Sequence, residues 1–599
     1  MPLPLALFAL SLSLLPRETS RVTSSMNQNA ENRAGGRGGA RGFLAKLAKL
    51  GENRLLGQRD HWLQAASALR IHSPDLNRLA ILLSRLEEIR KGFYHTPTKL
   101  SSAPSAEKWA PSRPGELPSL DNINPRVVKA EYAVRGEIVL RASEYQKRLA
   151  EGDKSLPFDE VIPCNVGNPQ ALGQKPITYF REVLSLVSHP KLLESREVTT
   201  LFSKDSVRAA KEYLSLLPGG SSGAYSNSMG LLGIRKKVAK FLERRDGYSA
   251  DPGRIFLTNG ASAAVQMAVQ LLIGGPSDGI LVPIPQYPLY SASIALYGGT
   301  QVNYTLAENK GWGTSIEDVQ RAYDEATAKG IKVKGIVVIN PGNPTGQCLE
   351  EKNMREIIEF CAQTGTVLLA DEVYQTNIYS STPFVSFKKA LRDVEHELER
   401  KVPLISFHSV SKGFVGECGR RGGYMEVVNF DEKIRLQLYK LASVILSPNV
   451  DGQIMTGLMV DPPLPNSESY DEYSMEGAKI LTSLSERARV LVKALNGLEG
   501  VHCNPVEGAL YAFPRIKLPP GAIAAAKKKG KNPDAFYCLE LLDSTGIVVV
   551  PGSGFGQEEG TFHFRTSIIP PLDKIAVVSE KIRVFHEKFM QKYGGIRSL

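Results

Sequence analysis

The sequence predicts an α/β protein whose core is a mainly parallel sheet with helices on both faces. The first observation is an alternation of strand and helix patterns, which is typical of parallel sheets: the run IFLT (255–258) is followed by the helical pattern ASAAVQMAVQLLI (261–273). The second is that the strand runs are continuously apolar, as expected of strands covered on both faces. A ligand is therefore expected beyond the carboxyl ends of the strands.

Polar residues directly follow several of the predicted strands. The further strand runs are ILVPI (280–284), GIVVIN (335–340), TVLLAD (366–371) and LISFHS (404–409), and a helix is predicted near 350–364. The polar segments are Asn259-Gly260, Asn340 to Gly346, Asp371-Glu372 and Ser409 to Lys412. Because loops at one end of a sheet meet at one edge, these segments are predicted to share a site.

The charge distribution argues against a polyanionic partner. The net charge is +11, but residues 1–118 hold 17 Lys and Arg against 9 Asp and Glu, so the remainder is nearly balanced. No nucleic-acid partner is expected. The six cysteines are scattered, without a CxxC pair or zinc-ligand spacing, which predicts free thiols in a reducing compartment and no metal site.

The first 118 residues differ from the rest of the chain. Residues 2–15 are strongly apolar but shorter than the ~20 residues of a membrane span, so no stable span is expected in the mature chain. An Arg-rich stretch and the amphipathic FLAKLAKL (43–50) are typical of an organelle transit peptide. We interpret 1–50 as a targeting leader and 51–118 as a helical extension and linker. The leader is expected to direct the protein to an organelle, with the mitochondrion favoured over the plastid. A loose extension without an address and a cytoplasmic location remain alternatives.

The segment SVSKG (409–413) contains the first candidate for chemistry. Lys412 follows a buried strand pattern, where its amine cannot reach water freely. Desolvation lowers the pKa of a lysine, and a neutral amine can attack an aldehyde. Most lysines lie on the surface, however, so this interpretation depends on the neighbouring motifs.

Motifs in a fixed order over roughly residues 119–595 resemble those of the class I and II aminotransferases. SVSKGFVGECGRRGGY (409–424) resembles the family's lysine motif, INPGNPTGQ (339–347) its Asn-Pro loop and LADEVYQ (369–375) its cofactor-aspartate strand. Four further segments resemble the alanine aminotransferases in particular: INPRVVKAEYAVRGEIVLRA (123–142), CNVGNPQALGQKPITYFREVL (164–184), GAYSNSMGLLGIR (223–235) and FHFRTSIIPP (562–571).

The resemblance implies the type I fold of the pyridoxal-phosphate-dependent transferases. A large domain (221–464) would contain a mainly parallel seven-stranded sheet with helices on both faces. A smaller α/β domain would combine 119–220 with 465–599 and close over the substrate. Each active site of this family is shared between two subunits, so a homodimer is expected.

The resemblance also implies roles around pyridoxal 5'-phosphate. Lys412 would bind the cofactor aldehyde and later move the proton of the substrate α-carbon. Asp371 would pair with the pyridine nitrogen, Tyr374 and Asn343 would hydrogen-bond the phenolate oxygen, and Tyr287 would stack on the ring. Taken alone, Asp371 is equally typical of a helix cap and Tyr287 of a core aromatic.

The phosphate and the substrate carboxylate each have predicted partners. The amides of Ala261 and Ser262 open a helix and would bind the phosphate, and the resemblance adds Ser409, Ser411, Arg421 and, from the second subunit, Tyr225. Arg421 takes the family position, which leaves Arg420 as a departure from the pattern. Arg565 would bind the substrate carboxylate with a guanidinium fork, beside Gly167 and Asn343.

The implied reaction converts L-alanine and 2-oxoglutarate into pyruvate and L-glutamate, in two half-reactions through pyridoxamine phosphate. The substrates would be small amino acids and 2-oxo acids. Three alternatives remain open: a glutamate:glyoxylate aminotransferase, a lyase or synthase of the same fold, and a non-catalytic regulator that keeps the fold.

Overall fold

A computed structural model describes residues 120, 122–132, 136–381 and 383–594. The predicted leader (1–50) and the predicted extension (51–118) lie outside the described residues. Residues from Ala110 onward belong to one compact unit, and its described part contains the predicted site.

The described residues form fifteen strands and eighteen α-helices. The strands are β1 (Ile162–Pro163), β2 (Ile255–Thr258), β3 (Asp278–Ile284), β4 (Thr300–Ala307), β5 (Gly313–Thr314), β6 (Lys332–Ile339), β7 (Val367–Asp371), β8 (Leu404–Ser409), β9 (Gly423–Val428), β10 (Val501–His502), β11 (Tyr511–Ala512), β12 (Arg515–Ile516), β13 (Ile547–Val548), β14 (Val550–Pro551) and β15 (Phe564–Ser567). The helices are α1 (Pro125–Lys129), α2 (Glu137–Ala150), α3 (Thr178–Ser188), α4 (Val198–Leu201), α5 (Lys204–Leu216), α6 (Leu232–Asp246), α7 (Ala261–Leu272), α8 (Leu289–Tyr297), α9 (Ile316–Ala328), α10 (Glu351–Thr364), α11 (Phe387–Arg392), α12 (His396–Glu399), α13 (Glu432–Val444), α14 (Val450–Val460), α15 (Tyr470–Asn496), α16 (Pro520–Lys528), α17 (Pro533–Thr545) and α18 (Leu572–Tyr593).

The main sheet has the strand order β2-β9-β8-β7-β6-β3-β4-β5. The pairs β3–β4, β3–β6, β6–β7 and β7–β8 are parallel, whereas β9 pairs antiparallel with both β2 and β8. Within the described residues this sheet has eight strands, one more than the seven expected. The additional strand, β5, has two residues and pairs antiparallel with the edge of β4. Two residues are too few for a periodic pattern, so no local pattern predicts β5.

Continuous apolar runs arise because neighbouring strand residues enter two different cores. On β6, Ile336 and Val338 pack on one face with α9, α10 and α11, and Val337 and Ile339 pack on the other face with α7, α8 and α13. Successive side chains of a strand point to opposite faces, so both kinds of position must be apolar when both faces are covered. The predicted two-sided burial is confirmed.

Two further cores complete the described part of the chain, and the second of them includes Ile255 and Leu257 of β2. One joins α2, α15, α17 and α18 with the small strands, and it includes the parallel pair β1–β13, in which Ile162 is opposite Ile547. The other joins α3 and α5 with α6 and α14. Helix α1 contacts α8. The division into a large domain (221–464) and a smaller domain (119–220 with 465–599) stays a prediction.

The described residues lack a membrane-spanning helix and a cluster of metal ligands. No helix there is long and apolar enough to cross a membrane. The same residues contain no group of three or more His, Cys, Asp and Glu side chains that could hold a metal ion.

Candidate active site

A cavity of about 270 Å³ lies at the carboxyl ends of the central strands. Asp371 is the last residue of β7, Ser409 is the last residue of β8, and Asn343 follows β6. The predicted site residues that line the cavity are Gly167, Ala261, Ser262, Tyr287, Asn343, Asp371, Tyr374, Ser409, Ser411, Lys412, Arg421 and Arg565. The predicted convergence of separate loops therefore occurs in this structure.

The amine of Lys412 lies in the wall of the cavity, next to the backbone of Gly167. Its Nζ donates a hydrogen bond of 2.9 Å to the Gly167 carbonyl and lies 5.8 Å from the centre of the Tyr374 ring. A Cβ added to Gly167 would lie 2.9 Å from this nitrogen and 2.3 Å from the Tyr511 hydroxyl. A side chain at position 167 would therefore displace the groups that line the site, which explains the need for glycine.

The Asp371 carboxylate is buried and held by two donors. The Tyr290 hydroxyl donates to it at 2.9 Å and the Val373 amide at 3.4 Å. Burial raises the pKa of Asp371 to about 6, although these donors and the positive charge of Lys412 act in the opposite direction. A carboxylate that loses solvation is stabilised by a nearby cation, so Asp371 suits a protonated ring nitrogen.

Asn343 connects Tyr374 with Arg565. Its Nδ2 donates to the Tyr374 hydroxyl at 3.4 Å, and its Oδ1 accepts from Arg565 Nη1 at 3.0 Å. Tyr374 is buried, which raises the pKa of its phenol well above the ordinary value and keeps it protonated. Tyr374 and Asn343 thus present donor groups to the same region of the cavity.

Arg565 is a buried guanidinium with an unfilled donor. It is 1% exposed, its Nη2 donates to the Asn165 carbonyl at 2.5 Å, and its Nε has no hydrogen-bond partner. Its Cζ lies 4.0 Å from the centre of the Tyr511 ring and 4.6 Å from that of Phe555. Within the described ranges no carboxylate forms an ion pair with it. A buried, uncompensated guanidinium suits an anionic ligand with two oxygens.

The beginning of α7 forms the other end of the cavity. Gly260 precedes the helix with φ +76°, and no side chain caps the first amides, which belong to Ala261 and Ser262. Arg421 donates to the Asn259 carbonyl at 3.1 Å, and a Cβ on Gly260 would lie 2.5 Å from its Nη2. Free amides at a helix start, beside a guanidinium, are a favourable site for phosphate.

Two serines of the lysine motif adjoin this helix start. The Ser409 hydroxyl donates to the Gly422 carbonyl at 3.1 Å, and its oxygen lies 3.0 Å from Ser411 Oγ. Both serines are buried and line the cavity. Together with the α7 amides and Arg421 they could hold the phosphate group of a cofactor.

Contacts distinguish Arg420 from Arg421. Arg420 lies 3.9 Å from the Glu417 carboxylate and 3.7 Å from the Asp451 carboxylate, and it does not line the cavity. Arg421 lines the cavity, and none of the ion pairs among the described residues involves it. Its free charge favours Arg421 for the phosphate role.

The two remaining predicted aromatics lie in different places. Tyr287 is half-buried on the cavity wall, and its hydroxyl lies 2.6 Å from the Tyr132 hydroxyl. Tyr225 is 77% exposed and does not line the cavity of its own chain. The predicted role of Tyr225 needs a second subunit, and it stays a prediction.

Sequence reasoning missed three residues of the site. Tyr511 and Cys418 line the cavity, and Tyr290 orients Asp371. Tyr290 could have been noticed, because it follows Tyr287 by one helical turn. Nothing in the sequence around Tyr511 indicates its position, which depends on the pairing of β11 with β15.

The family model for aminotransferase class I and II matches residues 193–581. Alanine aminotransferase 2, mitochondrial, of Arabidopsis thaliana is 53% identical over 508 residues, which are 83% of this chain and 94% of that protein. Glutamate–glyoxylate aminotransferase 1 of the same plant is 52% identical over 476 residues, which are 79% of this chain and 97% of that protein. The solved alanine aminotransferase from Pyrococcus furiosus matches with a TM-score of 0.61 and 26% identity, over 78% of this chain and 99% of that one. The predicted type I fold is confirmed, and this chain belongs to the class I and II aminotransferase family.

Proposed function

We propose that this protein is a pyridoxal-phosphate-dependent transaminase that converts L-alanine and 2-oxoglutarate into pyruvate and L-glutamate. The observation that carries the proposal is one cavity that contains an amine (Lys412), a buried acid (Asp371) and two arginines without carboxylate partners in the described residues (Arg421 and Arg565). An amino acid bound to a phosphorylated aldehyde cofactor needs these four groups.

The residues of the cavity fit pyridoxal 5'-phosphate. The amides of Ala261 and Ser262, the two serines and Arg421 would hold the phosphate, and Asp371 would hold the protonated ring nitrogen. Asn343 and Tyr374 would donate to the ring oxygen, and Tyr287 would lie against the ring. When bound, the cofactor supplies an aldehyde for the amino group and a ring that accepts electrons from the substrate α-carbon.

The protein's own groups would bind the substrate and move its proton. Arg565 would bind the substrate carboxylate, using the Nε that is buried without a partner, and the Gly167 backbone would approach the same carboxylate. Lys412 Nζ would accept the proton from the substrate α-carbon and release it later in the same half-reaction. Both substrates would bind to the same Arg565, so the first product must leave before the second substrate enters, and ping-pong kinetics are expected.

The direct test is to mix purified protein, cofactor, L-alanine and 2-oxoglutarate and to measure pyruvate and L-glutamate together. Equal amounts of the two products, with a set of parallel lines in double-reciprocal plots, would support the proposal. Release of ammonia or of a cyclised product without L-glutamate would indicate a lyase of the same fold. A colourless protein whose absorbance spectrum does not change when cofactor is added would indicate a non-catalytic relative.

A second candidate is a glutamate:glyoxylate aminotransferase. It is favoured by the similarity to the Arabidopsis protein of that name, and the cavity does not distinguish the two acceptors. Measuring kcat/KM for pyruvate and for glyoxylate, with L-glutamate as donor in both assays, separates the candidates. A clear preference for glyoxylate would replace alanine transamination as the main activity.

We also propose a homodimer in which Tyr225 completes the partner's site. The 77% exposure of Tyr225 supports this proposal, because a side chain that acts in another subunit must project from the surface of its own subunit. Co-expression of Lys412→Ala and Tyr225→Ala chains gives a mixed dimer in which one site has an intact Lys412 and an intact Tyr225. Each variant alone should be inactive and the mixture should recover activity. No recovery would mean that Tyr225 acts within its own chain, and full activity of Tyr225→Ala alone would mean that it has no role.

An organelle is the proposed location, with the mitochondrion first. The leader pattern supports it, as does the similarity to a relative named mitochondrial. Residues 1–118 fused to a fluorescent protein should be imported and shortened by cleavage. A fusion that stays uncleaved in the cytoplasm would contradict the proposal.

A further inference from the structure

Tyr511 lines the cavity, and none of the roles above uses it. It is on β11, which pairs antiparallel with β15, so it lies on the strand next to the one that contains Arg565. Tyr511 is 3% exposed and lines the cavity. Its ring and its hydroxyl contact different groups of the site.

The ring of Tyr511 supports the guanidinium of Arg565. The Arg565 Cζ lies 4.0 Å from the ring centre, a distance at which a cation is attracted to an aromatic face. The edge of the ring meets Tyr374, with the two ring centres 6.3 Å apart and the planes at 83°. These contacts leave Tyr511 little freedom to rotate.

The hydroxyl of Tyr511 converges with the amine of Lys412 on the backbone of Gly167. A Cβ on Gly167 would lie 2.3 Å from the hydroxyl oxygen and 2.9 Å from Lys412 Nζ. Both groups therefore lie on the side of Gly167 to which a Cβ would point. The Tyr374 phenol also interacts with the Tyr511 hydroxyl and helps to lower its pKa.

The charges around Tyr511 favour negative charge on its oxygen. Burial raises the pKa of Tyr511, but the positive charges of Lys412 and Arg565 and the interaction with Tyr374 together lower it by a larger amount, so the net shift is downward. Cys418 opposes this shift, and Tyr287 is the other titratable group that interacts with the phenol. A phenol with a lowered pKa carries more negative charge on its oxygen and interacts more strongly with a nearby ammonium.

We propose that Tyr511 is a positioning residue for transamination, whose hydroxyl holds the Lys412 amine beside Gly167 while its ring holds the Arg565 guanidinium. The proposal rests on the function proposed above, in which Lys412 moves a proton and Arg565 binds a carboxylate. One rigid side chain then sets the distance between these two groups. A substrate held by its carboxylate would thereby present its α-carbon to the amine, which is the geometric requirement for efficient proton transfer.

Tyr511→Phe tests the hydroxyl, because it keeps the ring against Arg565. The kcat for L-alanine with 2-oxoglutarate should fall about tenfold, while KM for L-alanine changes less than about twofold. Because the pKa of the Tyr511 phenol is lowered, its removal should also change the pH profile of kcat. A purely structural role would not change this profile.

Two further variants distinguish the effect of the Tyr511 hydroxyl from that of its ring and from the general effect of removing a buried hydroxyl. Tyr537→Phe is the matched control: it removes a buried hydroxyl that lies 3.0 Å from His586 Nδ1, outside the cavity, and it should leave kcat and the pH profile unchanged. Tyr511→Leu removes the ring, and KM for both L-alanine and 2-oxoglutarate should rise because Arg565 loses its support. The melting temperature of each holoenzyme verifies that it is folded.

Absorbance of the ionised phenol gives a readout that does not depend on turnover. In the wild-type enzyme in its pyridoxamine phosphate form, in which the Lys412 amine is free, one phenol should ionise below the ordinary range of tyrosine, and this step should be missing in Tyr511→Phe. In Lys412→Ala the same step should move to higher pH, because a neighbouring positive charge is gone. An unaltered titration in Lys412→Ala would overturn the proposed contact even if Tyr511→Phe failed to fold.

The outcomes also separate this inference from the function on which it rests. A Tyr511→Phe enzyme with wild-type kcat and pH profile, beside an inactive Lys412→Ala, would overturn the role of Tyr511 and leave the transaminase intact. Turnover retained by Lys412→Ala would overturn the role of Lys412 in the proposed function, and the role of Tyr511 with it.

Discussion

The Tyr290 hydroxyl donates a hydrogen bond of 2.9 Å to the Asp371 carboxylate. Tyr290 lies on α8 and Asp371 ends β7, so a helix on one face of the sheet orients an acid at the sheet's edge. Both side chains are buried, and burial raises the pKa of each. Without a bound cation, a charged Asp371 lowers the stability of the fold, and this cost can be measured.

Asp371→Asn should remove a pH-dependent loss of stability from the cofactor-free protein. Asp371 has a pKa of about 6 in the fold against an ordinary value of 3.8, so the folded state binds more protons between these two values. Its contribution to the free energy of unfolding therefore falls as pH rises through this window, by about 3 kcal/mol at most, and is constant above it. Urea unfolding at pH 4 and pH 7 checks this, and an identical pH dependence in both proteins would contradict it.

Lys412→Ala should abolish turnover while the protein still binds the cofactor. Loss of the proton-carrying amine is expected to lower kcat by at least about 10²-fold, whereas the phosphate contacts and Asp371 remain. Steady-state assays and equilibrium dialysis with pyridoxal phosphate measure the two effects. Lys574→Ala, which removes a surface lysine paired with Glu160 at 2.6 Å, is the matched control. Near-normal turnover in Lys412→Ala would mean that another lysine acts.

Arg565→Lys should weaken binding of both substrates although it keeps the positive charge. An ammonium cannot form the two parallel hydrogen bonds of a guanidinium, and it also loses the stacking on Tyr511. KM for L-alanine and for 2-oxoglutarate should each rise about 10-fold to 100-fold. Arg515→Lys, at an exposed arginine 3.4 Å from Glu308, should leave both KM values unchanged. Equal KM values in wild type and Arg565→Lys would place the substrate carboxylate elsewhere.

Arg421→Ala should weaken cofactor binding more than Arg420→Ala does. Arg421 faces the cavity at the beginning of α7, whereas the charge of Arg420 is already balanced by Glu417 and Asp451. The Kd for pyridoxal phosphate should rise about tenfold or more in the first variant and change less than about twofold in the second. Fluorescence titration of the cofactor-free proteins measures both values. The opposite order would assign the phosphate to Arg420.

Local patterns in the sequence were sufficient for much of the fold. IFLT and LISFHS coincide with β2 and β8. Each is a short apolar run, and polar residues follow it on its C-terminal side. The predicted helix near 350–364 is α10, which ends before Gly365, a glycine with φ +71°. The two-residue strands were not predicted, because their pairing depends on where distant segments meet.

The residues of the site likewise divide into those that local motifs predict and those that they do not. Lys412 and Asp371 were found because each lies in a continuous motif beside a strong strand pattern. Tyr290, Cys418 and Tyr511 were missed, because their contacts join segments that are far apart in the chain. Tyr511 reaches Lys412 only through the packing of β11 against β15 and the loop at Gly167.

By itself the sequence determined the alternation of strands and helices, the polar loops at the strand ends and the lysine among them, because hydrophobic periodicity and short motifs are local properties. Only the tertiary structure decided that Arg421 and not Arg420 faces the cavity, that Arg565 is buried with a free donor, and that Tyr511 lies between the two groups that would handle the substrate. Those facts depend on burial and on distances between side chains from separate strands, and such distances are fixed when the sheet and its cores assemble.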